Sequence, residues 1–166
     1  MTILTRHPAT PAEPVILRAF SRTYQPRGTG FYLDEIHSWA QRAKVSPVEW
    51  SITQGPDAQF YAVPEFPDVH GREYSTWCGR GVTQDLACQD AVRYLQRYIH
   101  GAHVEHVRWR FGKLNPPTEP VHYAIPVVYE RPSFLQDNEV IGQGSSHHAA
   151  KEDSAQKLLE LGYCRI

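Results

Sequence analysis

The sequence predicts an α+β fold built from a repeated unit in which short antiparallel strands precede a helix. Three observations carry this. Gly79-Arg80-Gly81-Val82-Thr83-Gln84-Asp85-Leu86-Ala87-Cys88 returns as Gly142-Gln143-Gly144-Ser145-Ser146-His147-His148-Ala149-Ala150-Lys151, at a constant offset of 63 residues. The apolar steps that follow return with it: Ala87, Ala91, Leu95 and Tyr98 become Ala150, Ser154, Leu158 and Leu161, one face of an amphipathic helix. Upstream, Phe60-Tyr61-Ala62-Val63-Pro64 matches His122-Tyr123-Ala124-Ile125-Pro126, and Val48-Glu49-Trp50 matches Val107-Arg108-Trp109. The offset drifts from 59 to 63 along the repeat. Insertion in loops between strands explains the drift, because lengthening a loop is thermodynamically cheap.

Taken in order, residues 1–14 are rich in Pro and Thr and are expected to be mobile. Residues 15–24 fit strand and helix equally, and Gly28-Thr29-Gly30 is a break. Residues 32–44 predict a helix with Leu33, Ile36, Ala40 and Ala43 on one face. Strands are expected over 48–53, 59–66 and 73–78, followed by a helix over 83–100. Gly55-Pro56-Asp57 marks the first turn, and Pro67-Asp68 and Pro132-Ser133 mark later connections. The second run has strands over 107–111, 121–129 and 139–142, then a helix over 146–162. Each Gly-x-Gly reads as a turn leading through a hydroxyl residue into a helix N-terminus, where free N–H groups favour a phosphate.

Length and composition bound the rest. A chain of 166 residues that is 41% hydrophobic, with four Trp, nine Tyr and six Phe, supports one medium or two small cores. No apolar run approaches the ~20 residues of a membrane span, and the first residues lack a signal-peptide pattern. Cys78, Cys88 and Cys164 are scattered and odd in number, which fits reduced thiols in an intracellular, cytoplasmic or nuclear, protein. The net charge of -1 is far from the basic balance of a typical nucleic-acid-binding domain. Arg18, Arg22 and Arg27 make the N-terminal segment locally basic, while Glu49, Asp57, Glu65, Asp68 and Glu73 make the first sheet region acidic.

Helix, three antiparallel strands and helix is the order of a double-stranded-RNA-binding domain, and the residues resemble that family. The first copy has Glu35 and His37 on its opening helix, Pro47 before its first strand, Gly55-Pro56 between strands, and Gly79-x-Gly81-x-Thr83 before its last helix. The second has the closing motif more fully: Gly142-x-Gly144-x-Ser146, Ala150-Lys151 and Ser154-Ala155. The resemblance implies tandem units: an N-terminal arm over 1–30, a complete α-β-β-β-α unit over 31–100, and a β-β-β-α unit over 104–166 lacking its first helix. Each sheet then has three strands with helices on one face. The linker over 101–106 is too short for a helix and favours packing as one body.

Members of this family grip duplex RNA through the first helix, the loop after the first strand, and a lysine trio at the last helix. In the first copy the trio falls on Gln84, Asp85 and Cys88, so no cation remains and Glu35 is the residual RNA-facing residue. In the second it falls on His147, His148 and Lys151, with Ser146 before them and Lys157 beyond. Histidine is largely neutral at pH 7, so one fixed cation remains to release counterions. The expected RNA-binding set is therefore Ser146, His147, His148, Lys151, Lys157, Glu35, Arg18, Arg22 and Arg27.

The leading expectation is a non-catalytic adaptor acting through a protein partner or self-association in RNA silencing or processing. The alternative is weak double-stranded-RNA binding. A second copy without its first helix is expected to leave an apolar face open for such a partner. No catalytic residues, cofactor, metal or membrane contact is expected. Asp34 and Glu35 are adjacent on a helix and diverge, and His100, His103 and His106 straddle a helix end and share no face.

Overall fold

The computed structural model describes residues 20–101, 103–114 and 120–166. In chain order the elements are α1 (Tyr32–Ala43), β1 (Glu49–Gln54), β2 (Phe60–Phe66), β3 (Arg72–Glu73), β4 (Gly79–Gly81), α2 (Gln84–Gly101), β5 (Val104–Leu114), β6 (Val121–Glu130), β7 (Ser133–Phe134), β8 (Gly142–Gly144) and α3 (His147–Glu160). The fold is α+β with antiparallel sheets. Most of the arm over 1–30, and Arg18 with it, lies outside the described residues.

Two compact units form, and their boundaries are not those of the sequence repeat. One, the composite unit, joins the described residues up to Val69 to Pro132–Ile166; the other, the central unit, is His70–Arg131. The chain leaves the composite unit after β2 and returns at β7. The units expected over 31–100 and 104–166 have thus traded third strands and last helices. The connection between β6 and β7 is only Arg131-Pro132. A type I′ hairpin turn needs a positive φ at both loop residues, which Pro132 cannot adopt, so that tight turn is closed to this connection and β7 pairs with β2 in the other sheet.

In the composite unit, β2 is flanked by β1 on one side and by β7 and β8 on the other, all antiparallel. In the central unit, β6 is flanked by β5 on one side and by β3 and β4 on the other. The registers correspond residue for residue. Trp50 lies opposite Pro64 as Trp109 lies opposite Pro126, and Ala62 opposite Gly142 as Ala124 opposite Gly79. The duplication is therefore structural, although each sheet mixes both copies.

The third strand of each sheet differs from expectation. Instead of one strand over 73–78 or 139–142, each is two short pieces, β3 and β4 or β7 and β8. Gly-x-Gly is the second piece, so it is strand and not turn. Its glycines let the strand lie on the helix behind it. A Cβ at Gly79 would overlap the Ala87 carbonyl and the Ala91 amide, and one at Gly142 would overlap their counterparts at Ala150 and Ser154.

The composite core centres on Trp39, which is fully buried and stacks on Phe66 at 5.2 Å between ring centroids. Its indole Nε1 donates to the Arg165 carbonyl at 2.7 Å. Trp50 donates to Ser154 Oγ at 2.9 Å, and that hydroxyl donates to the Val140 carbonyl at 2.7 Å, so strand, helix and loop are tied in series. In the central unit, Tyr74 stacks on Trp77 at 4.6 Å and hydrogen-bonds Tyr98 between hydroxyls at 3.0 Å.

The helix α2 differs from α3 on the side where α3 meets α1. At the positions where α3 carries Glu152 and Leu159, α2 carries Gln89 and Gln96, both exposed. A helix without a neighbour on that side presents amides to water.

Candidate functional site

The expected RNA-facing residues that are described all fall in the composite unit. The helix α3 places five of them along its first three turns. Ser146 is the N-cap, its Oγ accepting from the Ala149 amide at 3.0 Å. Thr83 accepts from Leu86 at 3.1 Å in the same way before α2. Each hydroxyl therefore satisfies a helix N–H that an anion would otherwise take.

His147 is exposed and meets the Phe60 ring edge-on at 4.7 Å, and His148 is exposed beside it. Lys151 lines an open cavity of about 200 Å³ with Leu33, Ile36 and His37 of α1 and residues 47–50 at the start of β1. Lys157 is committed to structure. Its ammonium pairs with Asp153 at 2.9 Å and donates to the Ile141 carbonyl at 2.9 Å, which removes it from the expected RNA-binding set.

Glu35 is the clearest correction. It is fully buried, with one carboxylate oxygen accepting from the Arg27 main-chain amide. A side chain in that position cannot face RNA. The reason lies in the face that α1 buries, which is Glu35, Ile36, Trp39, Ala40 and Ala43; Leu33 stands at its margin, half-buried. Arg27 is held over α1 as well, its guanidinium donating to Ser38 Oγ at 3.2 Å. Arg22 is exposed at the wall of a second cavity.

Between β1 and β2 the turn is closed by its own bonds, Gly55 N–H to Gln59 at 2.8 Å and Ala58 N–H to Gly55 at 3.0 Å. Asp57 projects there. Its carboxylate accepts from the Tyr61 hydroxyl at 2.6 Å and the Gln59 amide at 3.1 Å. The Tyr61 bond, then the Gln59 bond, holds the carboxyl below its ordinary range, so it is charged at neutral pH.

Two arrangements escaped sequence reasoning. Glu152 of α3 caps α1, accepting the Tyr32 and Leu33 amides at 3.1 and 2.9 Å, while Phe31 at the N-cap supplies no side-chain bond. A carboxylate at a helix N-terminus is favourable in charge as well as hydrogen bonding. Arg42 sits over the Tyr24 ring at 5.6 Å. Both contacts join residues far apart in sequence, so no local pattern announces them.

The composite unit is acidic: its described residues hold eleven Asp and Glu against seven Lys and Arg. Those of the central unit hold five against eight. Among the described residues, no group of three or more His, Cys, Asp or Glu converges to hold a metal, and no helix is long and apolar enough to cross a membrane.

Site and fold together define an α+β protein with antiparallel sheets, in which His147, His148 and Lys151 of α3 share an acid-biased unit with α1. No family model matches the chain, and neither the curated proteins nor the solved structures offer a match.

Proposed function

We propose that the protein is a non-catalytic adaptor on a double-stranded-RNA-binding-like scaffold, acting through protein contacts or self-association in an RNA-silencing or RNA-processing setting. One observation carries the reading. The face that would meet RNA has an ionised Asp57 in its loop, a buried Glu35 in its helix, and Lys151 as its uncommitted fixed cation, on a unit with excess acid. Such a face repels a polyanion and leaves little counterion release to drive binding. Phe31, Phe134 and Leu161 of the same unit are exposed by 65%, 47% and 50%, and they supply apolar contact area for a protein partner.

A second reading, weak duplex-RNA binding, is favoured by the exchange of strands. It brings the first helix and loop of one copy onto the same unit as His147, His148 and Lys151 of the other.

A titration with an RNA duplex of about 20 base pairs, long enough for a domain that spans about 16, separates the readings. It is run at two salt concentrations and at about pH 6 and 7.5, either side of the histidine range. The adaptor reading expects no binding under any condition, with self-association or partner capture unchanged by Lys151→Glu. Binding that weakens with salt, strengthens at the lower pH and disappears in Lys151→Glu overturns it.

A further inference from the structure

We propose that the outer edge of β1 pairs with β1 of a second copy of this chain, antiparallel about a two-fold axis at Ser51, so that two composite sheets become one. The inference deepens the self-association half of the adaptor reading and rests on it.

The edge is open. β1 pairs with β2 on one side. On the other, among the described residues, no main-chain hydrogen bond reaches residues 49–54. Glu49, Ser51, Thr53 and Gln54 are exposed, and Trp50 and Ile52 are half-buried. An unpaired row of N–H and C=O groups is a template for another strand, and natural sheets carry devices against such pairing. Outer strands elsewhere in the molecule show them. The opposite edge of the same sheet is broken into β7 and β8, of two and three residues. β5 holds the place of β1 in the central unit. It has a register shift between Val104 and His106, and it sets Arg110 and Lys113 where β1 has Ser51 and Gln54. β1 keeps one register throughout, has no proline, and carries one charge, Glu49 at its end.

The sequence of β1 selects a second copy as the occupant. Side chains alternate along a strand, so Trp50 and Ile52 share the face toward α3, where Trp50 donates to Ser154, and Glu49, Ser51 and Thr53 share the other. In a two-fold antiparallel pair centred on Ser51, Trp50 lies opposite Ile52 twice on the first face. Glu49 lies opposite Thr53 twice on the second, with Ser51 against its own copy. Every pair then sets apolar against apolar or polar against polar, and aromatic–β-branched pairs stabilise a sheet. Charge fits as well: each Glu49 carboxylate faces a hydroxyl that can donate to it, and no like charges are opposed. Centring on Ile52 instead sets Trp50 against Gln54, so the match specifies the register. The contact is the same on both copies and closes at a dimer.

The test is sedimentation of the full chain over a wide range of protein concentration, with hydrogen exchange read on the same samples. A species of twice the 19.0 kDa chain is expected, together with protection of the β1 amides that rises with concentration. Two acid-biased units approach one another, so the dimer should tighten as salt rises, opposite to RNA binding. Ser51→Lys, at an exposed position, sets two ammonium groups face to face and is expected to weaken the dimer about tenfold or more. An equimolar mixture of Ser51→Lys and Ser51→Glu should recover it, which a misfolded variant does not do. A chain that stays monomeric, or a dimer that Ser51→Lys leaves intact, overturns the proposal. A monomer leaves the partner half of the adaptor reading standing, for the RNA titration to decide.

Discussion

The helices α2 and α3 repeat the same residue spacing, and they differ where their neighbours differ. Both bury one seam against a sheet: Ala87, Ala91 and Leu95 in one, Ala150, Ser154 and Leu158 in the other. Both use an aspartate to hold the strand above, Asp90 accepting from the Arg80 amide at 3.0 Å and Asp153 from Gln143 at 2.9 Å. One step further round, α3 buries Ala155 and Leu159 and sends Glu152 to cap α1, whereas α2 shows Val92 half-buried and Gln89 and Gln96 exposed. The sheet-facing seam is common to both copies. The second seam exists only where α1 packs against the helix.

The largest break in this comparison is Trp39→Ala. It removes the buried side chain that joins α1 to Phe66 and the Arg165 carbonyl, and it is expected to cost about 3–5 kcal/mol. Hydrogen exchange read by mass spectrometry should show the loss in the composite unit and leave β5 and β6 protected. Gly79→Ala and Gly142→Ala come next, at roughly 3 kcal/mol each, because the added methyl meets helix backbone that cannot yield. Denaturant unfolding should find the two equal; a clear inequality would mean that the strand-on-helix contact is not the shared device described here.

The second seam is tested by exchanging its residues. Leu159→Gln is expected to cost about 2–4 kcal/mol through lost burial and an amide left in the core. Gln96→Leu should stay within about 0.5 kcal/mol, since that position is exposed. A further contrast concerns the thiols and appears only in alkali. Burial pushes Cys78 in the central unit up to about 11, and raises Cys164 in the composite unit further. Half-buried Cys88 is raised as well, so iodoacetamide at mild alkaline pH should label Cys88 first. Because the folded state holds the Cys78 proton more tightly than the unfolded chain, that contribution is full below about pH 8.5. It should decline as pH rises and be gone above about 11, seen as a falling denaturation midpoint that Cys78→Ala removes.

Much of this was legible in the sequence because spacing encodes contact. The small residues of the repeat mark a helix lying close against a sheet, and the match of Phe60–Pro64 to His122–Pro126 marks equivalent central strands, whereas Gly-x-Gly reads as a turn and is strand. Choice of partner was not legible. β2 meets β8 in the register that β6 uses for β4, so residues along β4 and β8 carry no label for one sheet over the other. Only Pro132 in the short connection disfavours the type I′ turn that would bring the chain back. The candidate site was less legible still. The family resemblance puts Glu35 on the RNA-facing side of the first helix, yet Trp39, four residues on, fixes the buried face that includes it. The Lys157 pair with Asp153 is an i, i+4 spacing on one helix that the sequence does show; the Ile141 carbonyl that it also reaches lies before β8, which sequence cannot place.

The interlaced connectivity has a consequence for synthesis. Every described strand and helix of the central unit lies within one continuous run, whereas α1, β1 and β2 must await residues 132–166. At about 5–20 residues per second that wait lasts several seconds. During it the free edge of β2 and the Trp39 face have no partner, while β4 and α2 emerge already shaped to the same register. The part of the chain made first is therefore the last to be completed, and the ribosome offers it the wrong match before the right one exists.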